Sequence, residues 1–481
     1  MVVGEICQER DLIIIGGGPG GYTAAIRAAQ LGINVTLIEK DKMGGNCLNK
    51  ACIPSKLYAY TGKKKVEMRH LENLGFPKID NFSDLTPILN YKEKITKTLQ
   101  RGIQSLCKGN QIEVITGKAT FLSKNRIGVE NGHQFDIFEF KQAIIATGSI
   151  PKMQKGIANT QNRMFLSHEI FNLNEVPEHL IVYGNDYIAL EVATTFHALG
   201  AKITILWENS ELPFDRSINK EFLRIFKKKK IQWINSVSLQ TVEEKDDRLI
   251  LTISIGSEVS EITGTHLFIS GTRLPNIKEL GLERIGMEFL KEGFIKINKN
   301  LETSIPNIYA IGDVTGTPFL AVKAIKQGKV IAERLAGCNS EVDLTFLPEI
   351  AHTIPPMASV GLSEDDAKRA YKDIRTNQFS LASNGYSMIT GEKDGFIKII
   401  SDAQKDIILG IHMIGDGAVE LSSTFVQLLE MAAKEEDVKF PLYAHPSMNE
   451  GLLEAVEGLV GLSIHTIPKR NKKMNQSNYH S

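Results

Sequence analysis

"DLIIIGGGPGGYTAAIRAAQLGINVTLIEKD", residues 11–41, decides how the rest of the chain is read. Leu12 to Ile15 form a short apolar run of strand character, and an alanine-rich stretch of helical character reaches Leu31. Between them Gly16, Gly18 and Gly21 fit the spacing G-x-G-x-x-G. A second strand, "NVTLIEK", ends on Glu39, 18 residues after Gly21. The glycines alone are a weak signal. Strand, turn, helix, strand and terminal acid in that order are a strong one for a dinucleotide-binding unit. The glycines let backbone approach a pyrophosphate at a helix N-terminus, and Glu39 can accept from a ribose hydroxyl.

The pattern returns in "HLIVYGNDYIALEVATTFHALGAKITILWE" (179–208), which predicts two such domains in tandem. Residues 60–110 read as mostly helical and 111–150 as short strands. The strand exit "IIATGSIP" is echoed by "FISGTRLPN" (268–276), and "NIYAIGDVTGTPFLAVKAIKQGKVIAERLAG" reads as strand, Gly-Asp turn and long helix. From about residue 346, strands mix with helices and close on "YAHPSMNEGLLEAVEGL". The expected class is α/β: tandem Rossmann-like domains followed by a C-terminal α+β domain.

At 481 residues the chain is too long for one core. Fifty-six Lys and Arg balance fifty-six Asp and Glu, so no overall field attracts nucleic acid or an anionic membrane. No apolar stretch reaches the ~18 residues that span a bilayer. Glu5, Glu9 and Asp11 precede the first apolar run, where a targeting leader would be basic. A reducing compartment, the cytoplasm, is expected, and there a close cysteine pair is more often catalytic or metal-binding than structural.

"GGNCLNKACIPSK" (44–56) holds such a pair, Cys47 and Cys52. Two cysteines with no His or Cys cluster nearby do not fill a four-ligand site, so no metal is expected. Cys7, Cys107 and Cys338 read as isolated buried thiols. On a straight helix, five residues rise about 7.5 Å, more than the ~4.4–6.8 Å between bridged Cα atoms. A bridge would therefore need a distorted segment, for which Gly44, Gly45 and Pro54 are suitably placed. Lys50 or Lys56 could favour a thiolate.

These motifs, with "ATGS", "IYAIGDV", "ASVGLSE" and "AHPSMNE" in order, resemble the flavin-dependent pyridine nucleotide–disulfide oxidoreductases. Within that family they are most similar to the members that oxidise protein-bound dihydrolipoyl groups with NAD. The resemblance implies an FAD-binding domain (1–150, completed by 276–345), an NAD-binding domain (151–275) and an interface domain (346–481) of a homodimer. It implies that Gly16, Gly18, Gly21, Glu39, Lys40, Gly45, Asn46, Ala119, Thr147, Gly148, Gly312, Asp313, Leu320 and Ala321 line the FAD. Gly184, Tyr187, Glu208 and Gly271 would line the NAD. Cys47 would exchange with substrate and Cys52 face the flavin, beside Lys56 paired with Glu191. His445, oriented by Glu450, would be the acid–base group, serving the other subunit. The implied partner is the lipoyl domain of an acyltransferase in a 2-oxo acid dehydrogenase or related complex.

The second fingerprint departs from the pattern. Asp186 stands where the middle glycine is usual, adding bulk and like charge near a pyrophosphate. Trp207 takes the place of the terminal acid, with Glu208 one position late. Weak NAD binding is the expected consequence. The rival expectations are a reductase of another disulfide with an altered electron partner, and a flavin-bound homologue without nicotinamide turnover.

Overall fold

The computed structural model describes residues 7–78, 83–152 and 163–467. The tail beyond His465, expected to fray, lies from residue 468 outside the described residues. The chain divides into two compact units: Met1–Tyr60, Phe82–Gly184 and Ser238–Leu344 form one, and Thr61–Asn81, Asn185–Val237 and Thr345–Ser481 the other.

The first unit opens as its sequence predicts. β1 (Cys7–Ile15), α1 (Pro19–Gln30) and β2 (Val35–Glu39) are followed by α2 (Gly45–Asn49), α3 (Cys52–Glu72) and α4 (Thr86–Gly109). Four strands then run in succession, β3 (Glu113–Thr116), β4 (Lys118–Ser123), β5 (Arg126–Asn131) and β6 (Gln134–Ile145). They make a sheet ordered β3-β2-β1-β6-β5-β4, with strand Ile308–Ala310 also on β6. β1 pairs in parallel with β2 and β6. Parallel strands covered on both faces need continuous apolar runs, and Leu12, Ile13 and Ile14 are fully buried. β4 and β5 return antiparallel.

Register fixes where the loops emerge. Ile15 pairs with Ile145, and Ile145 with Ala310. Three parallel strands thus end in line, and the segments after Ile15, Ile145 and Ala310 leave at one carboxyl edge, where open α/β sheets place their ligands. Ala146 N–H donates to Ile15 O at 2.8 Å and Ile311 N–H to Ile145 O at 3.0 Å, which ties the exits together. The echoed exits meet as well: Ser149–Pro151 pairs antiparallel with Arg273–Pro275. The same unit holds the parallel trio His179–Gly184, His266–Ile269 and Met164–Leu166, and an antiparallel meander over residues 238–264.

In the second unit, α5 (Tyr187–Leu199) precedes strand Lys202–Trp207, which pairs in parallel with Gln232–Ile234. Its C-terminal part is a five-stranded antiparallel sheet. Phe379, Ile397, Ile411 and Met413 of that sheet pack on Leu421 and Phe425 of helix Ala418–Glu430 and Leu452 and Val456 of helix Glu450–Glu457. The class is α/β with a C-terminal α+β portion. No helix among the described residues is long and apolar enough to cross a membrane.

Candidate active site

Cys47 and Cys52 are bridged, with 4.6 Å between their Cα atoms. The distortion that the spacing demands is a helix break. α2 stops at Asn49 because Lys50 N–H and Ala51 N–H both donate to Asn46 O, at 2.9 and 2.8 Å, and α3 begins at Cys52. Pro54 falls in the first turn of α3, where the missing N–H has no partner to lose. Both cysteines are half-buried. Lys50 is exposed and pairs with Asp41 at 3.6 Å, while Lys56 is half-buried on α3, one turn beyond Cys52.

The glycine turn lies against this segment. A Cβ at Gly45 would come within 2.8 Å of Gly18 Cα, so backbone packs on backbone. At Gly21 a Cβ would sit 1.8 Å from Gly16 O, which only glycine tolerates. Glu39 holds the turn: Oε2 accepts from Gly17 N–H at 2.6 Å and Oε1 from Asp41 N–H at 2.8 Å. Lys40 is exposed, and Ala119 is buried on β4.

The other carboxyl-edge loops complete a cradle that suits FAD. Thr147 Oγ1 is buried without a partner among the described residues, as a ligand-facing hydroxyl would be. Gly148 has φ +73° with open space where a Cβ would project. Asp313 follows Gly312, and Leu320 and Ala321 open helix Ala321–Leu335. Three residues that spacing did not suggest brace the cradle. Ser149 Oγ donates to Asp313 Oδ2 at 2.7 Å and accepts from Arg273 Nε at 2.7 Å, while Asn276 Nδ2 donates to Thr147 O at 3.0 Å. The echo between the two strand exits was their only sequence signal. Asn46 Nδ2 donates to Ser149 O at 3.1 Å and so belongs to the same bracing.

The second fingerprint differs in detail. Gly184 ends its strand, Tyr187 opens α5, and Gly271 has φ +129°. Asp186 does more than add bulk: it is the N-cap of α5, its Oδ1 accepting from Ala189 N–H at 3.0 Å. Trp207 is fully buried; its indole N–H donates to Glu211 O at 3.1 Å and its ring packs on Trp233. Glu208 is half-buried just past the strand end. Glu191, buried on α5, accepts from His352 N–H at 2.8 Å.

His445 sits on an exposed turn, just before a cis peptide to Pro446. Its Nδ1–H donates to Glu450 Oε1 at 2.7 Å, and Ser447 N–H donates to Oε2 at 2.8 Å. With Nδ1–H turned to the carboxylate, Nε2 is the ring nitrogen on the side away from Glu450. Burial would raise the Glu450 pKa, but the bonds from His445 and Ser447 outweigh it and hold the carboxyl below its usual range. Of the remaining cysteines only Cys107 is buried; Cys7 is half-buried and Cys338 exposed, contrary to expectation, because it follows the end of helix Ala321–Leu335. No group of three or more His, Cys, Asp or Glu among the described residues is placed to hold a metal ion.

Residues 10–328 match the family described as pyridine nucleotide-disulphide oxidoreductase, and residues 347–456 match its dimerisation domain. The dihydrolipoyl dehydrogenase of Geobacillus stearothermophilus is 36% identical over 471 residues, covering 98% of this chain and 100% of the relative. That of Bacillus subtilis (strain 168) is 36% identical over 470 residues, covering 97% and 100%. The mitochondrial dihydrolipoyl dehydrogenase 1 of Arabidopsis thaliana is 35% identical over 467 residues, covering 95% and 92%. Among solved structures, LpdA from Mycobacterium tuberculosis superposes with a TM-score of 0.86 at 23% identity, covering 93% of this chain and 99% of that one. The HOCl-induced flavoprotein disulfide reductase RclA from Escherichia coli gives 0.83 at 23% identity, over 93% and 99%. These two structures establish a likeness of fold.

Proposed function

The chain belongs to the pyridine nucleotide-disulphide oxidoreductase family, and from that premise we propose how its residues carry the reaction. It is an enzyme that oxidises dihydrolipoyl groups through the Cys47–Cys52 disulfide, with FAD and NAD as cofactors. Bound FAD supplies the two-electron relay from the protein dithiol to NAD.

One dihydrolipoyl thiolate attacks Cys47 Sγ, forming a mixed disulfide and releasing Cys52 as thiolate. The second lipoyl thiolate closes the lipoyl disulfide and expels Cys47. Two electrons then reside on the protein dithiol, ready for the flavin. Each attacking thiol must first lose a proton, and His445 Nε2 takes it, since imidazole titrates near neutral pH. Glu450 stabilises the imidazolium as it forms. Lys56 and Glu191 take the flavin-side roles that the resemblance implies. Glu39 and the first glycine turn hold the ADP half of FAD, and Thr147, Gly148, Gly312 and Asp313 its ribityl and flavin part. Tyr187, Glu208, Gly184 and Gly271 belong to the NAD side.

Residues 1–150 with 276–345 serve FAD, 151–275 serve NAD, and 346–481 join two copies into a homodimer. The substrate is the lipoyl domain of an acyltransferase in a 2-oxo acid dehydrogenase or related complex of the cytoplasm. The observation that supports this reading best is the half-buried bridge at a helix break, packed against a glycine cradle in the same unit.

Anaerobic titration of the FAD-loaded protein with dihydrolipoamide tests it: the flavin spectrum should show two-electron reduction. Cys47→Ser and Cys52→Ser should each retain FAD and lose that reduction, a fall of several orders of magnitude. Lipoyl turnover that persists in either variant refutes the assignment.

A further inference from the structure

The chain carries the same nucleotide-binding turn twice, and its two copies treat their helix N-termini in opposite ways. In the first, Gly18 is the N-cap of α1, with no side-chain capping bond, and Pro19 follows. The leading amides of that helix therefore have no side-chain competitor at the cap. In the second, the corresponding place belongs to Asp186, whose carboxylate bonds the amide of Ala189 at 3.0 Å. A helix N-terminus attracts anions through its unpaired amides and its dipole, which is why dinucleotide pyrophosphates settle there. Here an anion built into the chain is already in place.

A second difference lies at the far end of each unit. Glu39 closes the first with a half-buried carboxylate, whereas Trp207 closes the second with a fully buried indole bonded to Glu211 O. In the second fingerprint the acid, Glu208, comes one position past the strand end, so less binding energy offsets the conflict at the pyrophosphate.

We infer that Asp186 is a specificity-determining residue: its carboxylate competes with the pyrophosphate of NAD for the N-terminal amides of α5 and sets the affinity for the dinucleotide. The inference rests on the proposed function, in which NAD accepts the electrons. To bind, the pyrophosphate must displace the capping carboxylate or lie beside it against like charge. Both routes raise the dissociation constant without touching the disulfide.

Calorimetric titration of NAD into the oxidised, FAD-loaded protein tests this with three chains: wild type, Asp186→Asn and Asp186→Gly. Asparagine retains an oxygen that caps the helix and removes the charge, while glycine removes both. The dissociation constant should fall from wild type to Asn to Gly, by about twofold in all, the factor that replacing a cap by glycine represents. Salt should tighten NAD binding to the wild type by screening the repulsion and do so less for Asp186→Asn. In turnover assays the gain should fall on the KM for NAD more than on kcat. A wild-type dissociation constant in both variants, with melting curves showing them folded, overturns the inference; tighter binding in either supports it. Flavin reduction by dihydrolipoamide in the wild type is read separately. Its absence would overturn the proposed function, whereas the order of NAD affinities decides only the part played by Asp186.

Discussion

Among the described residues His445 is held from one side: Glu450 anchors Nδ1, and the rest of the imidazole is exposed on its turn. In the proposed role such a residue would work at a surface brought to it, and its strength as a base would depend on the charge behind it. Burial would raise the pKa of Glu450, but the bonds from His445 and Ser447 hold it below its usual range. A depressed carboxyl pKa gives a contribution that is complete above the unfolded value and disappears as pH falls through the folded one. At neutral pH the carboxylate therefore favours the imidazolium. Glu450→Gln keeps the shape and removes that charge, so the acid limb of the kcat–pH profile should move to lower pH. Turnover should fall about tenfold or more, but less than the ~10²–10⁴ expected for His445→Gln. An acid limb that stays in place in Glu450→Gln would mean that another group supplies the field.

At the scale of elements, what the sequence showed and what it hid divide by distance along the chain. The first fingerprint, the break between Cys47 and Cys52 and the His445–Glu450 spacing were legible because each is local: turn chemistry and helical rise act over a few residues. Asp186 was legible as a departure but not as a cap, since that role depends on α5 beginning at Tyr187. Ser149, Arg273 and Asp313 were illegible as a group because register, not spacing, assembles them. The same holds for Lys398, buried at 1% exposure in strand Phe396–Asp402. It donates to Asp215 at 2.8 and 3.0 Å and to Glu364 at 2.7 Å, across 183 and 34 positions of sequence. Asp215 also caps helix Arg216–Lys228. Burial opposes its charge, but the Glu364 amide and Lys398 overcome that and hold its pKa far below the usual range. Removing the lysine strands a buried carboxylate, so Lys398→Met should lose about 3–5 kcal/mol in denaturant melts. The double variant Lys398→Met with Asp215→Leu should recover much of that loss. In the wild type this stabilisation is complete above the ordinary carboxyl range, about pH 4–4.5, and drains away as pH falls further. A single variant as stable as wild type would show the cluster to be energetically neutral.

At the scale of the whole molecule, some of the most exposed apolar side chains among the described residues lie near His445 in sequence. Phe440 and Leu442 are 90% and 101% exposed just before His445, and Met431 is 79% exposed nearby in sequence. Large apolar side chains this bare are costly in water and mark interaction surfaces. All three fall within residues 347–456, which match the family's dimerisation domain. They also precede the turn that carries His445, so on the proposed reading the surface that pairs two chains and the one that presents the base are close in sequence. Placing a charge there should separate the copies and disarm the chemistry together. Leu442→Asp with Phe440→Asp should sediment as a monomer at micromolar concentration, where the wild type sediments as a dimer. FAD should remain bound, because the glycine cradle and its braces lie entirely in the other unit. Turnover of dihydrolipoamide should fall by at least the ~10²-fold expected for loss of a general base. If the variant is monomeric and fully active, the base must serve the disulfide of its own chain; if it remains dimeric, the pairing face lies elsewhere.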